Sequence, residues 1–183
     1  MRFIKSYKIF ESLFSGRLRY LGENPTADTI VTRVVDGIQQ VLLVKRSKWV
    51  SAEPNKWSIP GGFVDTNAKS GDNWNQDKET IIQAAKREIL EETGLDILSM
   101  DGSKFKLISI NDSIERDPRN TKESWIKSHT FLVEIPSNMG DDIRGMDDAQ
   151  LAKWFTIEEL NNMNKTQFAF DHVDRLMELG FIE

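Results

Sequence analysis

Three glutamates stand close together in the middle of this chain, directly after an arginine. They are Glu88, Glu91 and Glu92, and the arginine is Arg87. Residues three or four positions apart lie on the same face of a helix, so the three carboxylates would form a triangle that Arg87 can brace. Mg²⁺ takes oxygen ligands and is usually held by a few carboxylates together with substrate phosphates. The spacing therefore predicts a site that holds a divalent cation against a phosphate compound.

A solvated, charged helix face is the alternative interpretation of this segment. Two upstream features favour the metal site instead. Glu79 stands eight residues before Arg87, and the stretch Pro60-Gly61-Gly62-Phe63-Val64-Asp65 provides a glycine turn. A carboxylate-bearing helix beside such a turn can hold divalent cations against a diphosphate.

The acids require a helix, and residues 78–93 are predicted to form one. Most of these residues are strong helix formers. Asp77 is expected to cap the first turn, and Gly94 is expected to end the helix in a left-handed conformation. The apolar stripe that would face the domain consists of Ile81, Ile82, Ala85 and Ile89.

The pattern of the remaining chain indicates strands followed by short helices. Strands are predicted at 29–35 and 39–45, joined by a tight hairpin turn at Asp36-Gly37. Further strands are predicted at 56–59, 104–111 and 128–135, and further helices at 156–161 and 168–179. This order predicts an α+β protein built as an α/β/α sandwich with a mixed sheet.

Length, composition and charge narrow the class of protein. The chain has 183 residues, which suits one domain, and no apolar run approaches the ~20 residues that span a bilayer. It contains no cysteine, which excludes a disulfide framework and a thiol nucleophile. The net charge of -5 argues against nonspecific nucleic-acid binding. We therefore expect a cytoplasmic protein that acts on a small molecule, without a nucleic-acid or membrane partner.

The domain is expected to span residues 16–183, preceded by an N-terminal arm at 1–15. The first residues are rich in lysine and arginine, which is faintly like an organellar transit segment. Their apolar side chains, including Phe3, Tyr7 and Phe10, favour instead an arm that packs on the domain.

Motifs for other hydrolytic or nucleotide-binding chemistries are absent from the sequence. There is no Gly-x-Ser-x-Gly elbow of a serine hydrolase and no phosphate-binding loop of the Walker type. The only histidines are His129 and His172, too few for a histidine-rich zinc site. His172 is expected to be a satisfied histidine of the last helix rather than a ligand.

The segment from Glu79 to Leu95 resembles the Nudix box, a loop–helix–loop motif. That motif runs glycine, five residues, glutamate, seven residues and then Arg-Glu-x-x-Glu-Glu-x-Gly, and Glu79 and residues 87–95 match it. Counted from Gly62, the family glutamate would stand at position 68, so residues 66–78 are interpreted as an inserted surface loop. The resemblance implies the Nudix fold and a Mg²⁺ or Mn²⁺ cofactor.

Other segments resemble the mitochondrial-type ADP-ribose pyrophosphatases and the Nudix-like domain of the ADP-ribose-gated cation channel. The most specific is Asp117-Pro118-Arg119-Asn120-Thr121, followed by Trp125. The others are residues 24–33 and 56–65, Gly140-Asp141-Asp142, and Lys153-Trp154. On spacing alone, a local Asp–Arg turn accounts for Asp117 and Arg119 equally well.

The resemblance implies an enzyme that hydrolyses ADP-ribose to AMP and ribose 5-phosphate. The implied catalytic residues are Arg87, Glu88 and Glu92, and the implied metal ligands are the Gly61 carbonyl, Glu88, Glu91 and Glu92. The implied substrate-binding residues are Asp28, Asp117, Arg119 and Asp142. The proton acceptor stays open between Glu92 and an acid of the Asp141-Asp142 loop. Alternatives are a hydrolase of NADH or a nucleotide sugar and a catalytically silent ADP-ribose sensor.

Overall fold

A mixed sheet forms the centre of the computed structural model, which describes residues 18–183. The predicted N-terminal arm, residues 1–15, lies outside the described residues. The strands are β1 (Gly22–Val35), β2 (Ile38–Arg46), β3 (Trp57–Ser58), β4 (Gly61–Phe63), β5 (Lys106–Asn111), β6 (Ser124–Glu134) and β7 (Ala149–Thr156). The α-helices are α1 (Ile81–Thr93), α2 (Ile157–Asn161) and α3 (His172–Glu178).

The long strand β1 organises the sheet. On one side it runs parallel to β6, in a register that extends from Gly22 opposite Ser124 to Thr32 opposite Glu134. On the other side its end pairs antiparallel with β2, and its beginning pairs antiparallel with β4. Strands β3 and β7 pair antiparallel with β2, and β5 pairs antiparallel with β6. One parallel pair among antiparallel ones confirms the predicted mixed sheet.

The hairpin between β1 and β2 turns at Asp36 and Gly37, as predicted. Both residues have a positive φ, 51° and 78° respectively, which a two-residue hairpin turn requires. The turn sets the register, with Val35 opposite Ile38. Because side chains alternate along a strand, this register decides which β2 residues face each side of the sheet.

Helices cover both faces of the sheet. Ile30 and Val31 are adjacent in β1 and therefore point to opposite faces, and both are fully buried. The core on one face joins Ala84, Ala85 and Ile89 of α1 to Ala27, Val31 and Leu42. The core on the other face joins Leu160 of α2 and Leu176 of α3 to Ile30, Val41 and Leu43. This is the α/β/α sandwich of the α+β class that the sequence predicts.

Helix α1 begins three residues later than predicted, at Ile81. Its N-cap is Thr80, which exchanges hydrogen bonds with Gln83 in a capping box. The prediction that Asp77 caps the helix is wrong, because the Asp77 carboxylate accepts a hydrogen bond from the Asn67 N–H at 2.8 Å instead. The predicted end of the helix is confirmed, since Gly94 follows it with a φ of 73°.

The last helix, α3, begins at His172 rather than at residue 168. The preceding residues are held in a different conformation by β3: Phe168 forms a bridge with Trp57, and the Ala169 N–H donates to the Trp57 carbonyl at 2.8 Å. Phe170 then turns the chain with a φ of 52°. None of the helices in residues 18–183 is long and apolar enough to cross a membrane.

Two strands are missed by the sequence prediction. Strand β4 consists of Gly61, Gly62 and Phe63, and glycine is a poor strand former. Strand β7 lacks a clean apolar alternation, since its Leu151 side chain is 52% exposed. Pairing with β1 and β2 respectively, rather than local propensity, accounts for both strands.

The segment at 66–78 forms no helix or strand and is mostly exposed, as a surface loop should be. Trp74 is its anchor, because the ring packs against the core on the α1 face and its Nε1 donates to the Val64 carbonyl at 3.2 Å. The loop also holds the beginning of the described chain, since the Leu21 N–H donates to the Asp72 carbonyl at 2.9 Å. That the segment is an insertion stays a prediction.

Candidate active site

The candidate active site begins with the acidic side of α1. Ala85 and Ile89 pack this helix onto the sheet. Glu88 and Glu92 lie beside that apolar stripe and are only 4% and 6% exposed. Glu91 is more open to solvent. A buried carboxylate is unfavourable without a partner, so the groups that face Glu88 and Glu92 decide what the site can do.

Arg87 is the hub of the acidic cluster. Its guanidinium donates to both carboxylate oxygens of Glu79, at 2.6 and 3.1 Å, and to Glu91 at 3.0 Å. It also donates to Glu88 and to the Phe63 carbonyl, the latter at 2.9 Å. One arginine therefore joins the loop before α1, the helix itself and the end of β4.

Arg87 keeps its charge in this partly buried position. Burial lowers the pKa of its guanidinium, but the hydrogen bonds to Glu79 and the charge of Glu88 outweigh burial, so the pKa lies well above its usual value. Glu91 is braced by Arg87 as the helical spacing predicts. The bond to Glu79 explains why a glutamate outside the helix belongs to the same cluster.

The Gly61-Gly62 turn lies directly against the acids. The Gly61 N–H donates to Oε2 of Glu92 at 3.0 Å. A Cβ atom at Gly62 would lie 2.6 Å from the carboxylate carbon of Glu88, and one at Gly61 would lie 2.6 Å from Oδ1 of Asp28. Only glycine permits so close an approach of a backbone turn to side chains. The turn thus joins α1 to the central strand β1.

Asp28 reaches this turn from the middle of the sheet. It lies opposite Gly61 in the β1–β4 pairing and is 9% exposed. Its Oδ2 accepts a hydrogen bond from the Ser128 hydroxyl of β6 at 2.6 Å. The structure therefore brings Asp28 to the same turn as Glu88 and Glu92, although 60 residues separate Asp28 from Glu88 in the sequence.

The donors around Gly61 are oxygens, which suit a hard divalent cation such as Mg²⁺ or Mn²⁺. In residues 18–183, no three acidic or histidine side chains are already gathered as a metal-ligand set. Glu88 and Glu91 are bonded to Arg87, and Glu92 contacts the amide of Gly61, whose carbonyl is the predicted ligand. The donor chemistry fits the cation, and binding would exchange these hydrogen bonds for metal bonds.

Asp117 and Arg119 form a local turn in the loop between β5 and β6. Asp117 is 5% exposed, and Arg119 donates to it three times: from Nε at 2.9 Å, from a terminal nitrogen at 2.8 Å and from its own backbone N–H at 2.9 Å. Burial raises the pKa of Asp117, but the bonds to Arg119 outweigh burial and hold it below its usual value. Asp117 and Arg119 thus form the local Asp–Arg turn, and their role in substrate binding stays a prediction.

The Arg119 guanidinium also connects this loop to the glycine turn. It lies 5.6 Å from the ring centroid of Phe63 and 5.5 Å from that of Phe170. Phe63 directly follows Gly62, so the predicted substrate-binding loop and the predicted metal site meet at this ring. A cation over an aromatic face gains stability from the ring quadrupole.

Asp142 is not brought into this cluster. Its side chain is exposed, and no hydrogen bond or ion pair within the described chain joins it to Asp28 or Arg119. Its neighbour Asp141 pairs with the buried Arg33 at 2.7 Å. The loop that carries both acids does contact α1, because the Met146 N–H donates to the Glu92 carbonyl at 3.0 Å. A substrate-binding role for Asp142 stays a prediction.

Sequence analysis missed Arg46, at the end of β2. Its guanidinium lies 5.1 Å from the ring centroid of Phe170, on the ring that also contacts Arg119, and it donates twice to the Ala52 carbonyl at 3.0 and 3.1 Å. Burial lowers the pKa of Arg46. The charge of Glu92 raises this pKa, and the charge of Arg119 lowers it further. The sequence signal for Arg46 was a basic residue directly after the predicted strand 39–45, upstream of the glycine turn.

Two C-terminal residues complete the surroundings of the site. Asp171 accepts two hydrogen bonds from Arg116, at 2.8 and 2.9 Å. His172 is buried, and its Nδ1 accepts a hydrogen bond from the Ile59 N–H at 3.0 Å. Burial also lowers the pKa of His172. His172 is thus a satisfied histidine, as the sequence predicts.

A family model matches this chain, and curated proteins are similar to it. The NUDIX domain model matches residues 24–176. An ADP-ribose pyrophosphatase of Methanocaldococcus jannaschii is 34% identical over 145 residues, which is 75% of this chain and 66% of that protein. The m7GpppN-mRNA hydrolase NUDT17 of Danio rerio is 34% identical over 76 residues, which is 42% of this chain and 21% of that protein. The chain thus spans less than two thirds of either relative.

Solved structures share the fold. The NUDIX domain of Shewanella oneidensis NrtR, solved in complex with ADP ribose, aligns with a TM-score of 0.63 over 86% of each chain. The two sequences are 19% identical. At that identity the likeness supports the fold alone.

Proposed function

Since this chain belongs to the Nudix family, we propose that it hydrolyses the diphosphate of ADP-ribose, with a divalent metal ion, to AMP and ribose 5-phosphate. The observation that carries the proposal is the acidic cluster around Arg87, which lies against the Gly61-Gly62 turn. This arrangement places carboxylates, which suit a hard cation, directly against a backbone turn. The similarity to an ADP-ribose pyrophosphatase supports the choice of substrate.

Glu88, Glu91 and Glu92 would hold Mg²⁺ or Mn²⁺, with the Gly61 carbonyl as a further ligand. When bound, the ion neutralises charge on the diphosphate and lowers the pKa of a coordinated water. Arg87 holds Glu88 and Glu91 in place and offsets their mutual repulsion.

Glu92 is the better-supported proton acceptor. Asp141 is paired with Arg33, and Asp142 is exposed, away from the contacts of the glycine turn. Glu92 instead lies against the turn itself through its bond to Gly61. A proton acceptor must lie within hydrogen-bond reach of the water that it activates, and the turn is where the diphosphate would bind.

The substrate-binding side would use the loop around Arg119. Arg119 and Arg46 offer guanidinium groups that recognise phosphate, and both lie near the Phe170 ring. Asp28 and Asp117 offer carboxylates that can accept hydrogen bonds from ribose hydroxyls. Asp117 is bonded to Arg119, so ligand binding would share or replace that ion pair.

A hydrolysis screen tests the proposal. The protein would be incubated with Mg²⁺ or Mn²⁺ and with ADP-ribose, NADH, nucleotide sugars, dinucleoside polyphosphates or capped RNA, and the products separated by chromatography. We expect AMP and ribose 5-phosphate from ADP-ribose, and no turnover when the metal is removed by a chelator. The substrate assignment is wrong if ADP-ribose stays intact while another of these compounds is consumed.

A catalytically silent ADP-ribose-binding domain is the second candidate. The engagement of Glu88 and Glu91 by Arg87, with no gathered metal-ligand set in residues 18–183, favours it. Calorimetry separates the two candidates. Binding of ADP-ribose without turnover at any Mg²⁺ or Mn²⁺ concentration would indicate the silent domain. The cytoplasmic location and the absence of a nucleic-acid partner stay predictions.

A further inference from the structure

Three consecutive residues, Phe170, Asp171 and His172, contact three separate parts of the candidate site. We propose that these residues, here called the brace, position the substrate-binding side of the active site. The proposal rests on the proposed function for its substrate. It assigns positioning roles to a segment that carries none of the residues expected to contact the metal ion.

Asp171 holds the loop that carries Asp117 and Arg119. Arg116, directly before Asp117, donates to both oxygens of Asp171, and the two side chains are only 10% and 15% exposed. Arg175 of α3 donates to the same carboxylate at 3.0 and 3.3 Å. A planar guanidinium that bonds a carboxylate through two nitrogens fixes orientation as well as distance. The loop is therefore tied to α3 through one carboxylate.

Phe170 contacts both arginines of the substrate-binding side, Arg46 and Arg119. Its φ of 52° is one that bulky residues rarely adopt. Such a backbone persists only where surrounding contacts hold it, and the bond from Ala169 to Trp57 supplies one of these. The ring is thus presented to the two guanidinium groups by a conformation that the sequence itself does not favour.

His172 holds the approach to the glycine turn. Its Nδ1 accepts the Ile59 N–H, and only Pro60 separates Ile59 from Gly61. A buried ring that accepts this bond must carry its proton on the other nitrogen. The ring is therefore neutral. Burial lowers its pKa, and the charges of Arg116 and Arg46 add to this effect, against those of Asp28 and Asp171. The position of the turn is set from the C-terminal segment as well as from β1.

The pattern of contacts distinguishes positioning from general stabilisation. All three brace residues contact groups on the substrate-binding side or the approach to the turn. The carboxylates of α1 have their own hub in Arg87. Loosening the brace should therefore weaken capture of the substrate more than it slows the reaction of substrate already bound. The Michaelis constant and the turnover number would then respond differently.

Asp171→Asn tests the proposal, because it keeps the shape and removes the charge. We expect KM for ADP-ribose to rise about tenfold, a moderate loss for a misplaced binding group, with kcat within about twofold of wild type. Asp171→Glu, which restores the charge, should recover part of the loss. The matched control is Glu178→Gln, which removes the other, exposed ion partner of Arg175 and should leave KM unchanged.

Amide hydrogen exchange of residues 111–120 without substrate gives a second measurement. Exchange there should be faster in Asp171→Asn than in wild type or Glu178→Gln. Unchanged KM, or a fall in kcat alone, overturns the proposal even if exchange is faster. If the wild type does not hydrolyse ADP-ribose, the proposed function is wrong, and hydrogen exchange alone tests the brace. In that case, exchange that is no faster in Asp171→Asn than in wild type overturns the positioning role. If Asp171→Asn does not fold, Arg116→Lys, which loses the two-nitrogen bond, is read by the same criteria.

Discussion

The two sides of the candidate site differ in the balance of their charges. On the acidic side, one arginine serves three carboxylates: Arg87 bonds to Glu79, Glu88 and Glu91. On the substrate-binding side the charges are more evenly balanced. There Arg116, Arg119 and Arg175 bond to three carboxylates, Asp117, Asp171 and Glu178.

Arg46 adds to the positive side of this balance. Among the described residues, its guanidinium donates to a backbone carbonyl and stacks on a ring, with no carboxylate at ion-pair distance. The acidic side therefore has surplus negative charge, whereas the substrate-binding side is close to balanced. A metal ion bound to a phosphate compound would contact both sides together. Substitutions on one side can therefore be tested separately from substitutions on the other.

Loss of one negative charge on the acidic side should have the largest effect. Glu92→Gln or Glu88→Gln should lower kcat at least about 100-fold, by analogy with removal of one electrostatic group in other active sites, while the melting temperature changes little. The reason is that the amide conserves volume and a hydrogen-bond acceptor but not the charge that holds a cation. Steady-state kinetics over a range of Mg²⁺ would show it. Near-wild-type turnover with unchanged metal dependence would refute the proposed metal-binding roles of Glu88 and Glu92. The control is Glu158→Gln, on the exposed part of α2.

Removal of the hub should destabilise the acidic side as a whole. Arg87→Ala removes the guanidinium that bonds the half-buried Glu79 and the buried Glu88, which should cost about 3 kcal/mol of unfolding free energy. Urea denaturation measures the loss. The exposed Arg144 provides the control, as Arg144→Ala should lie within about 0.5 kcal/mol of wild type. A loss below about 1 kcal/mol for Arg87→Ala would mean that the cluster is solvated.

On the substrate-binding side, Arg119→Ala should weaken ADP-ribose binding by about 1.5–3 kcal/mol. From the sequence alone, little harm to stability is expected. The structure changes that expectation, because Asp117 is 5% exposed and would lose its ion partner.

The double variant Asp117→Asn with Arg119→Ala separates the two effects. It should recover stability, since no buried charge is left unpaired, but not affinity. Calorimetry in a Glu92→Gln background isolates binding from turnover. Affinity that is unchanged in both variants would leave Asp117 and Arg119 as an ordinary turn.

The surface loop at 66–78 should matter less. Trp74→Ala should lower the unfolding free energy by about 2 kcal/mol, given partial burial of a large ring, without changing KM. Replacing the whole loop by Pro-Gly should still give a folded, active protein. Chemical denaturation measures the unfolding free energy of both variants, and steady-state kinetics measures their KM. A sharp rise in KM at unchanged stability would assign the loop to the binding site.

Acid should produce the smallest effect of these perturbations on the substrate-binding side. Burial raises the pKa of Asp171, but the bonds to Arg116 outweigh it and the net pKa lies well below the usual value. A carboxyl whose pKa is lower in the folded state contributes stability above its unfolded pKa of about 4, and loses it as pH falls further. The melting temperatures of wild type and Asp171→Asn should therefore differ at pH 7, and the difference should shrink progressively as the pH falls below about 4. A constant difference would contradict the assignment.

The acidic side could be predicted from the sequence because its geometry is local. Glu88, Glu91 and Glu92 share one helix, so their spacing alone places them together. The cap could not be chosen this way, since Asp77 and Thr80 both suit an N-cap. Hydrogen bonds from Asn67 and Thr66, across the loop, commit Asp77 elsewhere.

The substrate-binding side could be predicted only in part. Asp117 and Arg119 are close in sequence, but Arg46 and Phe170 join them from opposite ends of the chain. The φ of Phe170 is also unfavourable for its residue type, so no local preference indicates it. Phe170 is therefore found from its tertiary contacts alone.

The parallel pairing of β1 with β6 has a consequence for how the protein is made. Strand β1 meets its hairpin partner β2 at once as the ribosome extends the chain, but β6 begins about 100 residues later. Pairings between distant residues form slowly, because a long loop must close first. The bond between Asp28 and Ser128 crosses this interface, so the central carboxylate of the site acquires its partner only late in folding. Until then the newly made β1 has one unpaired edge, which exposes this strand to aggregation.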